Sequence, residues 1–473
     1  MLYNIDNQQD TIVALATPQG IGAIGVIRLS GKNAIALCDQ FFSGKNLTIQ
    51  AANTIHFGTI RDEENRILDE VLVSLFKAPK SYTREDTIEI SCHGSPFILQ
   101  QVLQLFLRNG ARMANAGEFT LRAFLNGQLD LSQAEAVADL IASSSEASHQ
   151  VAMKQMRGGI SLEIKKLRDE LITFASLIEL ELDFGEEDVE FADRTQLRLL
   201  MEKIQRYLNA LLSSFHLGNA IKNGITTVIA GRPNAGKSTL LNALLQEERA
   251  IVSEIAGTTR DTIEEILNIN GVEFRLIDTA GIREATDAIE KIGVAKTMEK
   301  IEQSSLLVYV FDVVETEPHE VLEDLKQLAQ DGQKLLIVAN KMDWNPYFKM
   351  EDLFRSVGIN ANATETANVE NTIPISAKNL MNIEYLKEKL YAIAIDKKIS
   401  EDSVIVSNSR HYDALNKALN SMNDALYGLD NNITSDFIAM DIRRALSHLG
   451  EITGEVSVDD LLENIFSKFC IGK

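Results

Sequence analysis

The residues Gly231-Arg232-Pro233-Asn234-Ala235-Gly236-Lys237-Ser238 place two glycines, a lysine and a hydroxyl at the G-x-x-x-x-G-K-[ST] spacing. Those types at that spacing suit a phosphate chain. The glycines let backbone N–H groups turn inward, Lys237 adds a point charge near the β and γ phosphates, and the Ser238 hydroxyl can ligate Mg²⁺. Thr239 continues into a helical run whose N-terminus adds partial positive charge. The loop follows an apolar strand at 225–230, the context that a phosphate loop needs. On its own, such a match is also compatible with a plain glycine turn.

Three further elements remove that alternative. Asp278-Thr279-Ala280-Gly281 ends a strand at 273–277. There the aspartate can hold Mg²⁺ through water and Gly281 can offer its N–H to the γ-phosphate. Asn340-Lys341-Met342-Asp343 ends a strand at 335–339. The Asp343 carboxylate matches the paired donors of guanine, which adenine lacks, so GTP is expected rather than ATP. Ser376-Ala377-Lys378 follows a strand at 373–375, where the Ala377 N–H suits the guanine carbonyl. Between the loop and Asp278 lies Gly257-Thr258-Thr259-Arg260-Asp261, with Thr259 the natural second Mg²⁺ ligand of a switch loop. Ile282 occupies the place where Ras-like enzymes carry a water-orienting glutamine, so the attacking water must be positioned otherwise.

The elements that position these residues fall into distinct textures. Residues 1–126 read as α+β, with strands at 11–15, 24–29, 54–60, 69–76 and 87–92 and a helix from Pro96 to Asn109. Residues 127–218 are helical. Ile160, Ile164, Leu167, Leu171, Phe174 and Ile178 make one apolar stripe, and Leu197, Leu200, Ile204, Leu208, Leu211 and Phe215 make another. The acidic run 179–188 between them reads as a solvated bend rather than a metal site. Residues 219–396 alternate strands and helices, which implies a parallel sheet. Residues 397–473 return to helix, with stripes at Leu415, Leu419, Met422, Leu426 and Leu429 and at Val458, Leu462, Ile465 and Phe469. A single stripe cannot bury itself, so the α/β unit is expected to be inserted into one helical bundle; two separate helical pieces are the alternative.

The motifs Gly-Arg-Pro-Asn-Ala-Gly-Lys-Ser, Gly-Thr-Thr-Arg-Asp and Asp-Thr-Ala-Gly-Ile-Arg-Glu resemble the TrmE-Era-Era-like group of GTPases. The flanks narrow this. Ala16-Thr17-Pro18, Gly25-Val26-Ile27-Arg28, Pro79-Lys80-Ser81-Tyr82-Thr83, His93-Gly94, Gly117-Glu118-Phe119-Thr120 and the ending Phe469-Cys470-Ile471-Gly472-Lys473 closely resemble the MnmE (TrmE) family of bacterial tRNA modification GTPases, over essentially the whole chain. The resemblance implies a folate-binding, dimerising N-terminal domain, a helical domain and an inserted Ras-like G domain. It also implies a homodimer that works with the FAD-dependent flavoprotein MnmG, and tRNA as substrate. The chemistry implied is addition of an aminomethyl or carboxymethylaminomethyl group at carbon 5 of the wobble uridine, with the one-carbon unit from a tetrahydrofolate derivative (5,10-methylene or 5-formyl). GTP hydrolysis would be activated by G-domain pairing in the presence of K⁺.

Residue by residue, the resemblance makes Asn234 the K⁺ ligand, with Ser253, Ile255 and Thr258 completing the shell. As a residue, Asn234 also reads as an ordinary turn former. The stretch Ser253-Glu254-Ile255-Ala256-Gly257-Thr258-Thr259 would line the nucleotide, and Glu290 would orient the attacking water in place of Ile282. Lys237 and Cys470 join Glu290 and Asn234 as the residues implied in catalysis; Cys470 otherwise reads as a cysteine packed beside Phe469. Arg28, Glu89 and Lys473 match folate-binding positions, and Gln128 stands where the family usually has lysine, so that position brings no charge.

Bulk properties bound the rest. With 46 Lys and Arg against 68 Asp and Glu, the net charge is −22, so long-range attraction to RNA is excluded and tRNA is expected to be held locally or mostly by the partner. Three scattered cysteines (Cys38, Cys92, Cys470) argue for a reducing compartment, and the expected location is cytoplasmic. No run of about 18 apolar residues is present and residues 1–6 do not read as a secretory signal, so no membrane association is expected. Gly20-Ile21-Gly22-Ala23-Ile24-Gly25 precedes a strand rather than a helix, which rejects a dinucleotide fold, and Cys92-His93 lacks metal-ligand spacing. A ribosome-assembly GTPase would need a basic RNA module, and a membrane-remodelling GTPase an amphipathic basic helix; neither is evident.

Overall fold

The computed structural model describes residues 10–183, 194–245, 264–278, 301, 304–329, 333–349, 371–395, 404–431, 433–455, 462, 465–467 and 469–472. The chain divides into two compact units, one of 1–142, 152–209 and 413–473, the other of 143–151 and 210–412.

The first unit contains a seven-stranded sheet in the order β3-β4-β5-β6-β2-β1-β7, with β1 Thr11–Leu15, β2 Ile24–Ser30, β3 Phe42–Ser43, β4 Thr54–Arg61, β5 Ile67–Phe76, β6 Thr87–His93 and β7 Ala111–Met113. Every pairing is antiparallel except β1 with β7. Alternation along the strands sends one set of side chains inward. Val13, Ile27, Val73, Ile88 and Ile90 are fully buried under the helices Ala34–Phe41 and Pro96–Arg108, which contribute Cys38, Val102, Leu105 and Phe106. The opposite set faces outward, and it includes Ile24, Ile55, Phe57 and Leu72, which are exposed.

The helical part of this unit is built on the stripes read from the sequence. Ile160, Ile164, Leu167, Leu171 and Ile178 are buried along the helix Gly159–Asp183, and Leu197, Ile204 and Leu208 along Arg194–Asn223. The helix Ser435–Thr453, which the apolar stripes did not predict, buries Ile438, Ile442, Leu449 and Ile452 and packs along Gly159–Asp183. Its small and polar residues interrupt the apolar rhythm. The acidic run beyond Asp183 lies outside the described residues.

The second unit is a six-stranded sheet in the order β13-β12-β11-β8-β10-β9. Its strands are β8 Ile225–Ala230, β9 Glu264–Ile269, β10 Val272–Asp278, β11 Leu306–Asp312, β12 Lys334–Asn340 and β13 Thr372–Pro374. Apolar clusters cover both faces, one around Leu240, Phe274 and Leu386 and one around Tyr309, Phe311 and Ile337. Burial on both faces explains why β11, Leu-Leu-Val-Tyr-Val-Phe-Asp, is continuous rather than alternating. The sheet is mixed, not wholly parallel as expected. β9 and β10 form an antiparallel hairpin, because Asn270 and Gly271 both adopt positive φ (52° and 81°) and close a two-residue turn.

Candidate functional site: the nucleotide site

β8 delivers the chain to the phosphate loop and the helix Lys237–Leu245 carries it away. Gly231 and Gly236 have φ of 150° and 93°, and a Cβ on either would run into the Val310 carbonyl or the Asn340 side chain. Only glycine fits both the backbone and the space. Asn234, at φ 60°, turns the loop between them and is exposed, as are Ser238 and Thr239. Lys237 Nζ donates to the Gly231 and Arg232 carbonyls, each at 2.9 Å, so the ammonium spans the loop it serves.

The Asn340-Lys341-Met342-Asp343 segment is joined to this loop by a buried side chain. Asn340, 3% exposed, donates through Nδ2 to the Ala235 carbonyl at 2.8 Å and accepts through Oδ1 from Ala377 N–H at 3.0 Å. The Ala377 N–H, expected to suit the guanine carbonyl, donates to Asn340 here, and a buried N–H must find an acceptor. Ser376 Oγ donates to Asp343 Oδ1 at 2.7 Å, which orients the carboxylate and leaves its second oxygen with no bond from the described residues. Lys341, at φ 68°, forms a 2.6 Å ion pair with Asp312 and lies 5.7 Å from the centre of the Trp344 ring. Lys378 is exposed at the loop edge. The backbone of Asp278 pairs with Ile229, placing the end of β10 beside the end of β8. Asp312 was not singled out from the sequence; the signal available was a lone carboxylate closing the apolar strand β11.

Ser253, Glu254, Ile255, Ala256, Gly257, Thr258, Thr259, Thr279, Ala280, Gly281, Ile282 and Glu290 lie outside the described residues, as does Lys473. Among the described residues no group of three or more His, Cys, Asp or Glu is placed to hold a metal, and no helix is long and apolar enough to cross a membrane.

In the first unit, Arg28 and Glu89 face each other across β2 and β6, with Nη2 to Oε1 at 2.7 Å and Nε to Oε1 at 2.9 Å. The guanidinium lies 5.8 Å from the Tyr82 ring and 5.6 Å from the Phe119 ring. Burial pushes the Tyr82 phenol up, against the opposing effects of its bond with Thr120 and of the Arg28 charge. The C-terminal segment reaches the same place. Ile471 bridges Ala116, Gly117 N–H donates to the Cys470 carbonyl at 3.3 Å, and Arg28 Nη1 donates to the Gly472 carbonyl at 3.4 Å. Cys470 is exposed rather than packed beside Phe469, which is itself buried against Phe466 at 5.4 Å. Cys38 and Cys92 are buried, and burial first, with Asp69 second, pushes the Cys92 thiol up to about 12. Gln128 does not join Arg28 and Glu89: its Oε1 accepts from Arg84 Nε at 2.9 Å at the surface.

A family model for the "GTP-binding protein TrmE N-terminus" matches residues 11–128, and a model for the "MnmE helical domain" matches 131–470. The tRNA modification GTPase MnmE of Cytophaga hutchinsonii is 57% identical over 469 residues, covering 99% of both chains. This chain belongs to the MnmE family of tRNA modification GTPases. The MnmE of Flavobacterium johnsoniae is 55% identical, covering 98% of this chain and 99% of its own. Among solved structures, Aquifex aeolicus Era bound to GDP·AlF4⁻ is 24% identical over 42% of this chain and 67% of its own, with a TM-score of 0.29. As an MnmE family member the chain is a GTPase.

Proposed function

We propose that the chain uses GTP hydrolysis to drive modification of carbon 5 of the tRNA wobble uridine, in a complex with a flavoprotein of the MnmG type. The observation that carries this reading is the coexistence, in one MnmE family chain, of a phosphate loop and a Ser376-held Asp343 carboxylate with the Arg28–Glu89 pair beside the C-terminal segment. The residues present suit a tetrahydrofolate. Arg28 can hold a carboxylate in a fork, Tyr82 and Phe119 offer ring faces beside it, and Glu89 keeps one oxygen that accepts nothing from the described residues. When bound, the folate supplies a one-carbon unit at an oxidation level suited to an aminomethyl group. Arg28 and Glu89 would bind and orient it, and the exposed Cys470 thiol, two residues from Gly472, lies on the segment that reaches Arg28.

On the GTP side, Lys237 and the loop N–H groups stabilise charge that builds on the phosphates as the γ-phosphoryl group leaves. The exposed Asn234 at the loop's turn supports a K⁺ ligand role, with Ser253, Ile255 and Thr258, and Glu290 as the residue orienting water. Ser238 and Thr259 would hold Mg²⁺. The outward apolar side chains Ile55, Phe57 and Leu72 support a homodimer through the first unit's sheet. A cytoplasmic location follows from a tRNA substrate.

Mass spectrometry of wobble uridine in tRNA from cells lacking this chain tests the proposal; unmodified carbon 5 is expected, and intact modification would remove it. Calorimetry with 5-formyltetrahydrofolate on native protein and Arg28→Ala addresses the folate site separately, with binding expected only for the native chain.

A further inference from the structure

The phosphate loop carries one charged side chain that reads neither base nor phosphate. Arg232 turns outward and forks onto Asp324, with Nε to Oδ2 at 2.8 Å and Nη2 to Oδ1 at 3.1 Å, while Nη1 binds Glu320 Oε1. Both carboxylates belong to the helix Pro318–Leu328, four residues apart and therefore on one face. The register of that helix is set by a capping box, in which Glu320 Oε2 accepts from the Glu317 N–H at 3.0 Å. Asp324 is also held from the sheet side, where the buried Tyr309 of β11 donates its phenol O–H to Oδ2 at 2.6 Å. Asp324 stays ionised there: burial alone would raise its pKa, but the bonds from Arg232 and Tyr309 outweigh that and lower it.

An exposed ion pair contributes about 0–1 kcal/mol, and stability is a weak reason for a fork with a third partner at this position. The location gives a stronger one. The Arg232 and Gly231 carbonyls each accept from Lys237 Nζ at 2.9 Å. Pro233 follows at once and its ring fixes φ, so little slack separates the anchored guanidinium from the rest of the loop. From inside, the Val310 carbonyl lies where a Cβ on Gly231 would be, so the sheet backs the loop closely at this point. The loop is thus gripped between β11 and the helix Pro318–Leu328.

We propose that Arg232 is a positioning residue for GTP hydrolysis: clamped to Asp324 and Glu320, it holds the Gly231 and Arg232 carbonyls where they aim the Lys237 ammonium at the phosphates. Because the lysine opposes charge that grows toward the transition state, its misplacement lowers kcat more than it weakens GTP binding. Small displacements of a charge-stabilising group cost on the order of tenfold or more in rate.

The test uses the full-length chain, steady-state GTP hydrolysis and thermal unfolding. Arg232→Ala is expected to lower kcat about tenfold while KM moves less than about threefold. Arg232→Lys, which keeps a charge on Asp324 but loses the fork, recovers part of the rate. Because both changes break the same clamp, Arg232→Ala/Asp324→Ala is no slower than the slower single variant. The control is Leu267→Ala, a cavity in the unit's core opposite Phe274, which pairs with Ile225 at the end of β8 remote from the loop; it lowers the melting temperature without lowering kcat below that temperature. Three results would each overturn the proposal: Arg232→Ala hydrolysing within about twofold of native, single-variant losses that multiply in the double variant, or Leu267→Ala reproducing the kcat loss at a matched melting temperature.

Discussion

At the scale of residues, the two oxygens of Asp343 are not equivalent. One accepts the Ser376 hydroxyl at 2.7 Å, and the other accepts nothing from the described residues. Asp343→Asn replaces an acceptor with an amide, so guanine's paired donors lose their match while xanthine's carbonyl gains a donor. Affinity for GTP is expected to fall by about 100-fold, roughly two bonds to a charged group, with xanthosine triphosphate now preferred. A competition binding assay with the two nucleotides reads this, and unchanged guanine preference would remove Asp343 from base recognition. A second residue prediction concerns acid. Burial would raise the Asp10 pKa, but the bonds and charges of Arg112 and Arg122 outweigh it and hold the carboxyl below its ordinary value. A depressed folded pKa means that the stabilisation is complete above the unfolded value and is lost as pH falls through the folded one. Melting curves between about pH 6 and pH 3 should therefore show a steeper acid loss in the native chain than in Asp10→Asn.

At the scale of elements, the parts with strong rhythm were legible and the parts without it were not. The strands around the loop, and the stripes on Gly159–Asp183 and Ser409–Asp430, stand out because one face is steadily apolar. The helix Ser435–Thr453 was missed since Ala439, Ala445, Gly450 and Thr453 dilute its buried face. The short strands Phe42–Ser43 and Ala111–Met113 were missed because two or three residues carry no period. β9 was missed because Glu264-Glu265-Ile266-Leu267-Asn268-Ile269 reads as polar as it does apolar, and only pairing with β10 makes it a strand. The missed helix yields a prediction. Leu449→Ala empties a fully buried position and should destabilise the first unit by about 2–5 kcal/mol in chemical denaturation, while GTP affinity stays unchanged.

At the scale of the molecule, two compact units interleave along the chain. The unit that holds the GTP site takes residues 210–412 and also 143–151, where Ala147 and Val151 pack against its core. A nucleotide-binding fragment limited to 219–396 would leave that contribution behind and is expected to melt lower than one that retains it, by differential scanning calorimetry. The outward face of the other unit's sheet makes a separate prediction. Phe57→Glu puts a charge on an exposed apolar surface, 67% accessible at that residue, and should shift sedimentation of the full chain from the proposed dimer toward monomer. If Phe57→Glu sediments as the native chain does, the sheet face is not the dimer contact.

The sequence by itself determined the nucleotide chemistry, because a phosphate loop and a base-reading motif are local: their function follows from glycines, a lysine and a carboxylate at short fixed spacing. The resemblance of the flanks then supplied the family, which full-length relatives bear out. What only the tertiary structure decided are contacts between residues far apart in the chain. Asn340 ties Ala235 to Ala377, Arg232 reaches a helix some 90 residues on, Gly472 comes back to Arg28, and Gln128 turns to Arg84. Periodicity shows which face of an element is buried; which distant polar groups then satisfy one another depends on how the elements pack, and no spacing in the sequence encodes it.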